Sequence, residues 1–129
     1  MINRPDKLLK IRPDIKKIEG FDKMNILESF QNQTLRPILK FQNQIILEVY
    51  RSYLGTRKGV FYKLSNEGRL DYIKKTLQKD QKIQNYIKGI IIGHFTVEEF
   101  NIYNQNIAHI NKRIMSLVIN RINDQVNLF

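Results

Sequence analysis

The chain has no cysteine, which excludes disulfide bridges, thiolate nucleophiles and cysteine-based metal centres. Histidine is scarce too: His94 and His109 are the only two, so a serine-histidine-acid triad has few possible members. Glu-x-x-His, His-Glu-x-x-His, Walker, Gly-x-Gly-x-x-Gly and Gly-x-Ser-x-Gly patterns are all missing. With them go the signatures of bundle di-metal sites, zinc hydrolases, phosphate-binding loops and α/β-hydrolases. No metal site and no cofactor is implied. No apolar run approaches the ~18 residues of a membrane span, and none follows Met1. The expectation is a soluble, cytoplasmic protein with no membrane partner.

Alanine is nearly absent as well, with Ala108 alone, while Ile, Asn, Lys, Tyr and Phe abound. That bias matches AT-rich coding and weakens composition as a guide to partners. The formal charge of +10 invites nucleic acid, but it is unevenly spread. Residues 1–20 carry six Lys/Arg against three acids, and residues 57–88 carry nine against three. The best basic patch is Lys74, Lys75, Lys79 and Lys82. It lacks interleaved exposed aromatics for base stacking and any helix-turn-helix spacing, and a solvated helix face is the better account of it.

At 129 residues, with 42% hydrophobic and 26% charged, the chain has the size and composition of one globular domain. Residues 1–21 contain a doubled tripeptide, Arg4-Pro5-Asp6 and Arg12-Pro13-Asp14. Each proline biases its predecessor away from helix, so this stretch is expected to be an extended or disordered basic tail. Residues 22–129 are expected to form the helical domain.

A second repeat organises that domain. The tetrad Phe-Gln-Asn-Gln begins at Phe30 and again at Phe41, with Pro37 between. Eleven residues are close to three helical turns, so on one unbroken helix both copies face the same way. Leu27, Phe30, Ile38, Phe41, Ile45 and Val49 share one wedge of a helix over residues 22–53, with Phe30 and Phe41 in the core. Pro37 either bends this helix near residues 33–36 or starts a second one capped by Thr34. Ser65 is a candidate N-cap for a helix burying Leu70, Ile73 and Leu77. Asp80 either caps the next, which presents Ile83, Ile87, Ile90 and Ile91, or the two run on as one. Thr96 and Glu99 have capping-box spacing. They open a long last helix, about 96–127, whose stripe starts with Phe100, Tyr103, Ile107 and Ile110. The fold class predicted is all-α: an up-and-down antiparallel bundle of about four helices, with a long kinked first helix and a long last one.

Gln31 and Gln42, and one heptad apart Asn104 and Asn111, fall within the apolar stripes. Such amides form either a polar slot for a small ligand or a set of mutually satisfied groups fixing register, within the bundle or at a dimer seam. His94, with Glu98 and Glu99 close by in sequence, is a candidate acid-base group, or bonds the last carbonyls of its helix. His109 is expected on the exposed side.

The stretches FQNQTLRPILKFQNQ, LQKDQKIQNYIKGIIIGHFTVEEF and INKRIMSLVINR resemble a family of small bacterial all-helical proteins of unknown role. Its members are often labelled glyoxalase. The resemblance covers residue 30 onward and implies a helical fold and, through the label, metal-dependent conversion of a glutathione-methylglyoxal adduct. The His-x-His-x-Asp-His motif of one glyoxalase class is absent, and the strand-borne ligands of the other have no counterpart here. No catalytic position carries over.

Three functions follow in order of preference. The first is a non-enzymatic helical protein acting by binding, as a homodimer through a face of the long helices, the stripe of the last being widened by Ile119 and Val126. The second is a glyoxalase of the lactoylglutathione lyase type, and the third a nucleic-acid-associated basic protein.

Overall fold

In the computed structural model the described residues are 3–13, 25–57 and 59–129. They are helical and contain no strand. Helix α1 (Arg4–Ile11) comes first, followed by α2 (Ile26–Phe30), a π-helical turn (Gln31–Leu35), α3 (Arg36–Phe41) and α4 (Asn43–Gly55). Then come α5 (Asn66–Lys79), α6 (Gln81–Ile92), α7 (Val97–Gln105) and α8 (Ile107–Asp124). α5 packs against α6 and α8, and α6 also meets α4 and α8.

Helix α1 corrects the expectation of an extended tail. Pro5 lies in the first turn, where its missing N–H costs nothing, and Asn3 caps the helix by accepting from the Asp6 N–H at 3.3 Å. Arg12, before Pro13, is already extended. The two prolines thus bracket a helix rather than prevent one. The remainder of the expected tail, residues 14–21, lies outside the described residues.

Pro37 acts on the backbone before it. It cannot donate to the Gln33 carbonyl, and its ring crowds that carbonyl. The chain answers with the π turn, in which the Arg36 N–H reaches the Gln31 carbonyl five residues back. Such a turn inserts one residue and rotates everything after it by about 100°. A second interruption follows at Gln42, where φ is −94° and ψ is 10°. The two tetrads therefore do not face the same way: Phe30 is 4% exposed and Phe41 is 44% exposed. Ile45, expected inside, lies outside with it. Leu35, Ile38, Leu39, Ile46, Leu47, Tyr50 and Leu54 form the buried side.

Later elements follow their local signals. Ser65 accepts from the Gly68 N–H at 3.1 Å, and Asp80 separates α5 from α6 by accepting from the Lys82 N–H at 3.1 Å. Ile73, Leu77, Ile83, Ile87 and Ile91 are buried, and Leu70 and Ile90 are half-buried. Thr96 and Glu99 form the capping box that opens α7. The long last helix does not run unbroken. At Asn106 φ is −139°, and its side-chain amide donates to the Ile102 carbonyl at 2.9 Å. An amide competing for backbone groups is a local alternative to helix, and here it divides α7 from α8. The phase shifts across it: Phe100 and Ile107 are exposed, whereas Ile110, Ile114, Val118 and Ile122 are buried. Ile119 and Val126 are buried as well, so the two residues that widen the stripe pack within the chain.

The phase slip is testable by chemical denaturation. Phe30→Ala should cost about 3–5 kcal/mol, as expected for an emptied core position, whereas Phe41→Ala should stay within about 1 kcal/mol. Equal losses would contradict the rotation of the second tetrad.

Candidate functional site

The densest polar cluster sits where α6 passes into α7. Phe95 anchors this junction, buried edge-on against Phe30 at 5.4 Å and Tyr103 at 5.7 Å between ring centroids. The capping box then fixes one carboxylate. Thr96 Oγ1 accepts from the Glu99 N–H at 3.1 Å, and Glu99 Oε1 accepts from the Thr96 N–H at 2.8 Å. Thr34, buried on the π turn, donates to Glu99 Oε2 at 2.8 Å. Arg12 completes the set with a two-pronged pair, Nη1 to Oε2 at 2.7 Å and Nη2 to Oε1 at 2.6 Å. Its Nη2 also reaches the His94 carbonyl at 2.7 Å, and Arg4 reaches the adjacent Gly93 carbonyl at 3.1 Å.

The side chains of Arg12 and Glu99 are only 6% and 14% exposed. Burial pushes the Glu99 carboxyl upward, but Arg12, the Thr96 N–H and Thr34 together hold it below the usual carboxylate range. His94 completes the cluster: Gln42 Nε2 donates to its Nε2 at 2.8 Å, and the Phe41 ring lies 5.6 Å away. Burial, followed by the positive charges of Arg12 and Arg4, lowers the His94 pKa. A neutral imidazole accepting from an amide is consistent with both influences.

Of the sequence-predicted residues, Gln42, His94 and Glu99 come together here, while Glu98 is exposed beside them. The polar slot does not assemble. Gln31 accepts from Arg113 at 3.0 Å, Asn111 accepts from the Tyr103 hydroxyl at 2.7 Å, and Asn104 is exposed. The π turn rotates Gln42 away from the phase of Gln31, and the break at Asn106 separates Asn104 from Asn111. His109 is exposed. Sequence reasoning missed Arg12, Arg4 and Thr34; the doubled Arg-Pro-Asp was the available signal for the arginines. It also missed Asn43, which pairs reciprocally with Gln125 at 2.9 and 2.8 Å.

A second polar group lies between α4 and the α5–α6 link. Tyr53 donates to Asp80 Oδ2 at 2.9 Å, and Arg57 pairs with the same oxygen at 2.8 Å while covering the Tyr53 ring. Burial and the bond to Asp80 push the Tyr53 hydroxyl up to about 12. The Tyr53 bond, with help from backbone N–H groups and Arg57, outweighs burial and lowers the Asp80 carboxyl. Tyr50 and Thr76 bond nearby at 2.8 Å.

Two grooves flank the Tyr53–Asp80 bond. One, of about 800 Å³, is bordered by Tyr72, Asp71, Lys75 and Lys79. The other, of about 430 Å³, runs between α4 and α6 past Ile45, Glu48, Val49, Lys82, Ile83 and Tyr86. The four patch lysines are exposed, with Lys75 paired to Asp71 at 2.9 Å. Among the described residues no three His, Asp or Glu side chains converge as a metal-binding group, and no helix is long and apolar enough to cross a membrane.

The cluster at the α6–α7 junction gives stability a defined pH dependence. The folded pKa values of His94 and Glu99 both lie below their ordinary values of 6.5 and 4.5. The unfolded chain therefore binds more protons in each window, and stability falls as pH falls. The His94 contribution is lost on acidification below 6.5 and the Glu99 contribution below 4.5. Thermal melts across this range should show both declines, and His94→Gln should remove the upper one only. A melting temperature flat from neutrality to the carboxylate range would contradict the assignment. Comparison with known protein families, curated proteins and solved structures finds no match for this chain.

Proposed function

We propose that this protein is a non-enzymatic helical module that acts by binding, and that its α4–α6 groove pairs with the same groove of a second copy. One observation carries the reading: an apolar groove that is electrically neutral in a chain of charge +10. Its lining holds Glu48 and Asp80 against Arg57 and Lys82. Ile45 is 47% exposed and Tyr86 is 62% exposed, with Val49 and Ile83 behind them. Two strongly basic copies repel over most of their surfaces, and a neutral apolar face is where they approach at least cost. The charges are also self-complementary. Glu48 on α4 pairs with Arg51 within the chain, and Lys82 lies on α6; a two-fold arrangement that opposes the two helices offers each Glu48 its partner's lysine as a second cation.

The binding reading also draws support from the engagement of the acid-base candidates. Glu99 already accepts from two guanidinium nitrogens, a hydroxyl and a backbone N–H. The Nε2 of His94 is taken by Gln42.

Sedimentation at micromolar to ~100 µM protein, a range spanning ordinary dimer affinities, should show a concentration-dependent dimer. Ile45→Asp should weaken it about 30-fold, the effect of losing one well-buried anchor. Glu48→Lys and Lys82→Glu should each weaken it, and the double exchange should restore it. A monomer at every concentration, or a dimer indifferent to all three changes, would sink the proposal.

A further inference from the structure

The doubled Arg-Pro-Asp tripeptide has an unexpected use. Its two arginines, eight residues apart, end on consecutive carbonyls: Arg4 on Gly93 and Arg12 on His94. Those carbonyls directly follow Ile92, the last residue of α6, at the end where the helix dipole favours a cation. The element that carries the arginines is otherwise superficial. Helix α1 has no buried residue, and Leu9 and Ile11 on it are exposed. Apolar burial therefore does little to hold α1, and the guanidinium of Arg12, nearly enclosed, is its main anchor.

The receptor, by contrast, is built without α1. Glu99 is oriented by its own capping box and by Thr34 on the π turn. The two acceptor carbonyls are set by the turn in which the His94 and Phe95 N–H groups bond Ile91 and Ile92 at 3.0 and 2.9 Å. A planar fork meeting a carboxylate edge plus a third acceptor is geometry that a guanidinium satisfies and an ammonium does not.

We propose that the α6–α7 junction is a recognition site for the guanidinium groups of an arginine-containing peptide, and that α1 is its resident ligand, seated in cis. A tethered ligand acts at an effective concentration in the millimolar range, so a free peptide gains the site only where the resident arginines are weakened or removed. The proposal is independent of the α4–α6 groove, whose variants leave these residues untouched.

The test uses the full chain carrying Arg4→Ala and Arg12→Ala, titrated with a labelled peptide of residues 3–13. Saturable binding is expected, at least about tenfold tighter than for the same peptide with both arginines replaced by lysine. Ethylguanidinium should compete with it, and adding Glu99→Gln should abolish it. No saturable binding by a variant with native circular dichroism, equal binding of the lysine peptide, or binding indifferent to Glu99→Gln would each overturn the site. Should the double variant not fold, the wild-type chain supplies the measurement. Ethylguanidinium should accelerate amide exchange across Arg4–Ile11 beyond the effect of equimolar ethylammonium, and equal effects of the two salts would overturn the proposal. Binding to an equimolar mixture of unrelated Arg-Pro peptides, set beside binding of the chain's own segment, separates a foreign ligand from the α1 of a second copy.

Discussion

A proline cannot donate a backbone hydrogen bond, and much of this fold's arrangement depends on where that deficit falls. Pro37 is buried in the middle of a helical run, and the carbonyl it leaves without its usual donor is that of Gln33. The π turn over Gln31–Leu35 absorbs the deficit by shifting the ladder one residue back. The shift also has a directional effect. It turns Thr34 inward to the Glu99 carboxylate and Gln31 toward Arg113, and it delivers Phe41 and Ile45 to the surface. The polar junction and the exposed apolar groove are two outcomes of one backbone adjustment.

Four of the six amides of the doubled tetrad show what that rearrangement achieves. Gln31, Gln42 and Asn43 each bond a different element: α8, the α6–α7 junction, and the turn after α8. Asn32 bonds Arg36 within its own run. Amides half-inside a protein must be satisfied, and satisfying them in different directions ties one irregular helix to three places at once. Repeated residues thus perform unlike tasks because the backbone between them is not a uniform helix.

Legibility in the sequence divided along physical lines. Ser65, Asp80 and Thr96 were readable as caps because a cap needs only a side-chain oxygen and N–H groups two or three residues away. The isoleucines of α6 were readable because nothing interrupts their period. Phe41 and Ile45 were misplaced because a hydrophobic phase assumes a constant turn, and one inserted residue invalidates it downstream. Asn106 hid the same kind of slip between Tyr103 and Ile110. Arg12 is marked in the sequence by the doubled Arg-Pro-Asp, but its partner Glu99 is 87 residues away, and a local repeat does not say which distant carboxylate an arginine meets. The glyoxalase label rests on resemblance alone and draws no support from the arrangement of His94, Glu98 and Glu99.

Glu99 has two employments that are usually kept apart. One carboxylate closes the first turn of α7 and also seats a guanidinium from the far end of the chain. Withdrawing Arg12 removes two of its four donors, while Thr34 and the Thr96 N–H stay in place. The inner half of the carboxylate thus belongs to the α6–α7 junction, and the outer half works as a latch for the segment that carries Arg12. A segment latched in this way detaches locally, at a free energy below that of global unfolding, and leaves the start of α7 seated.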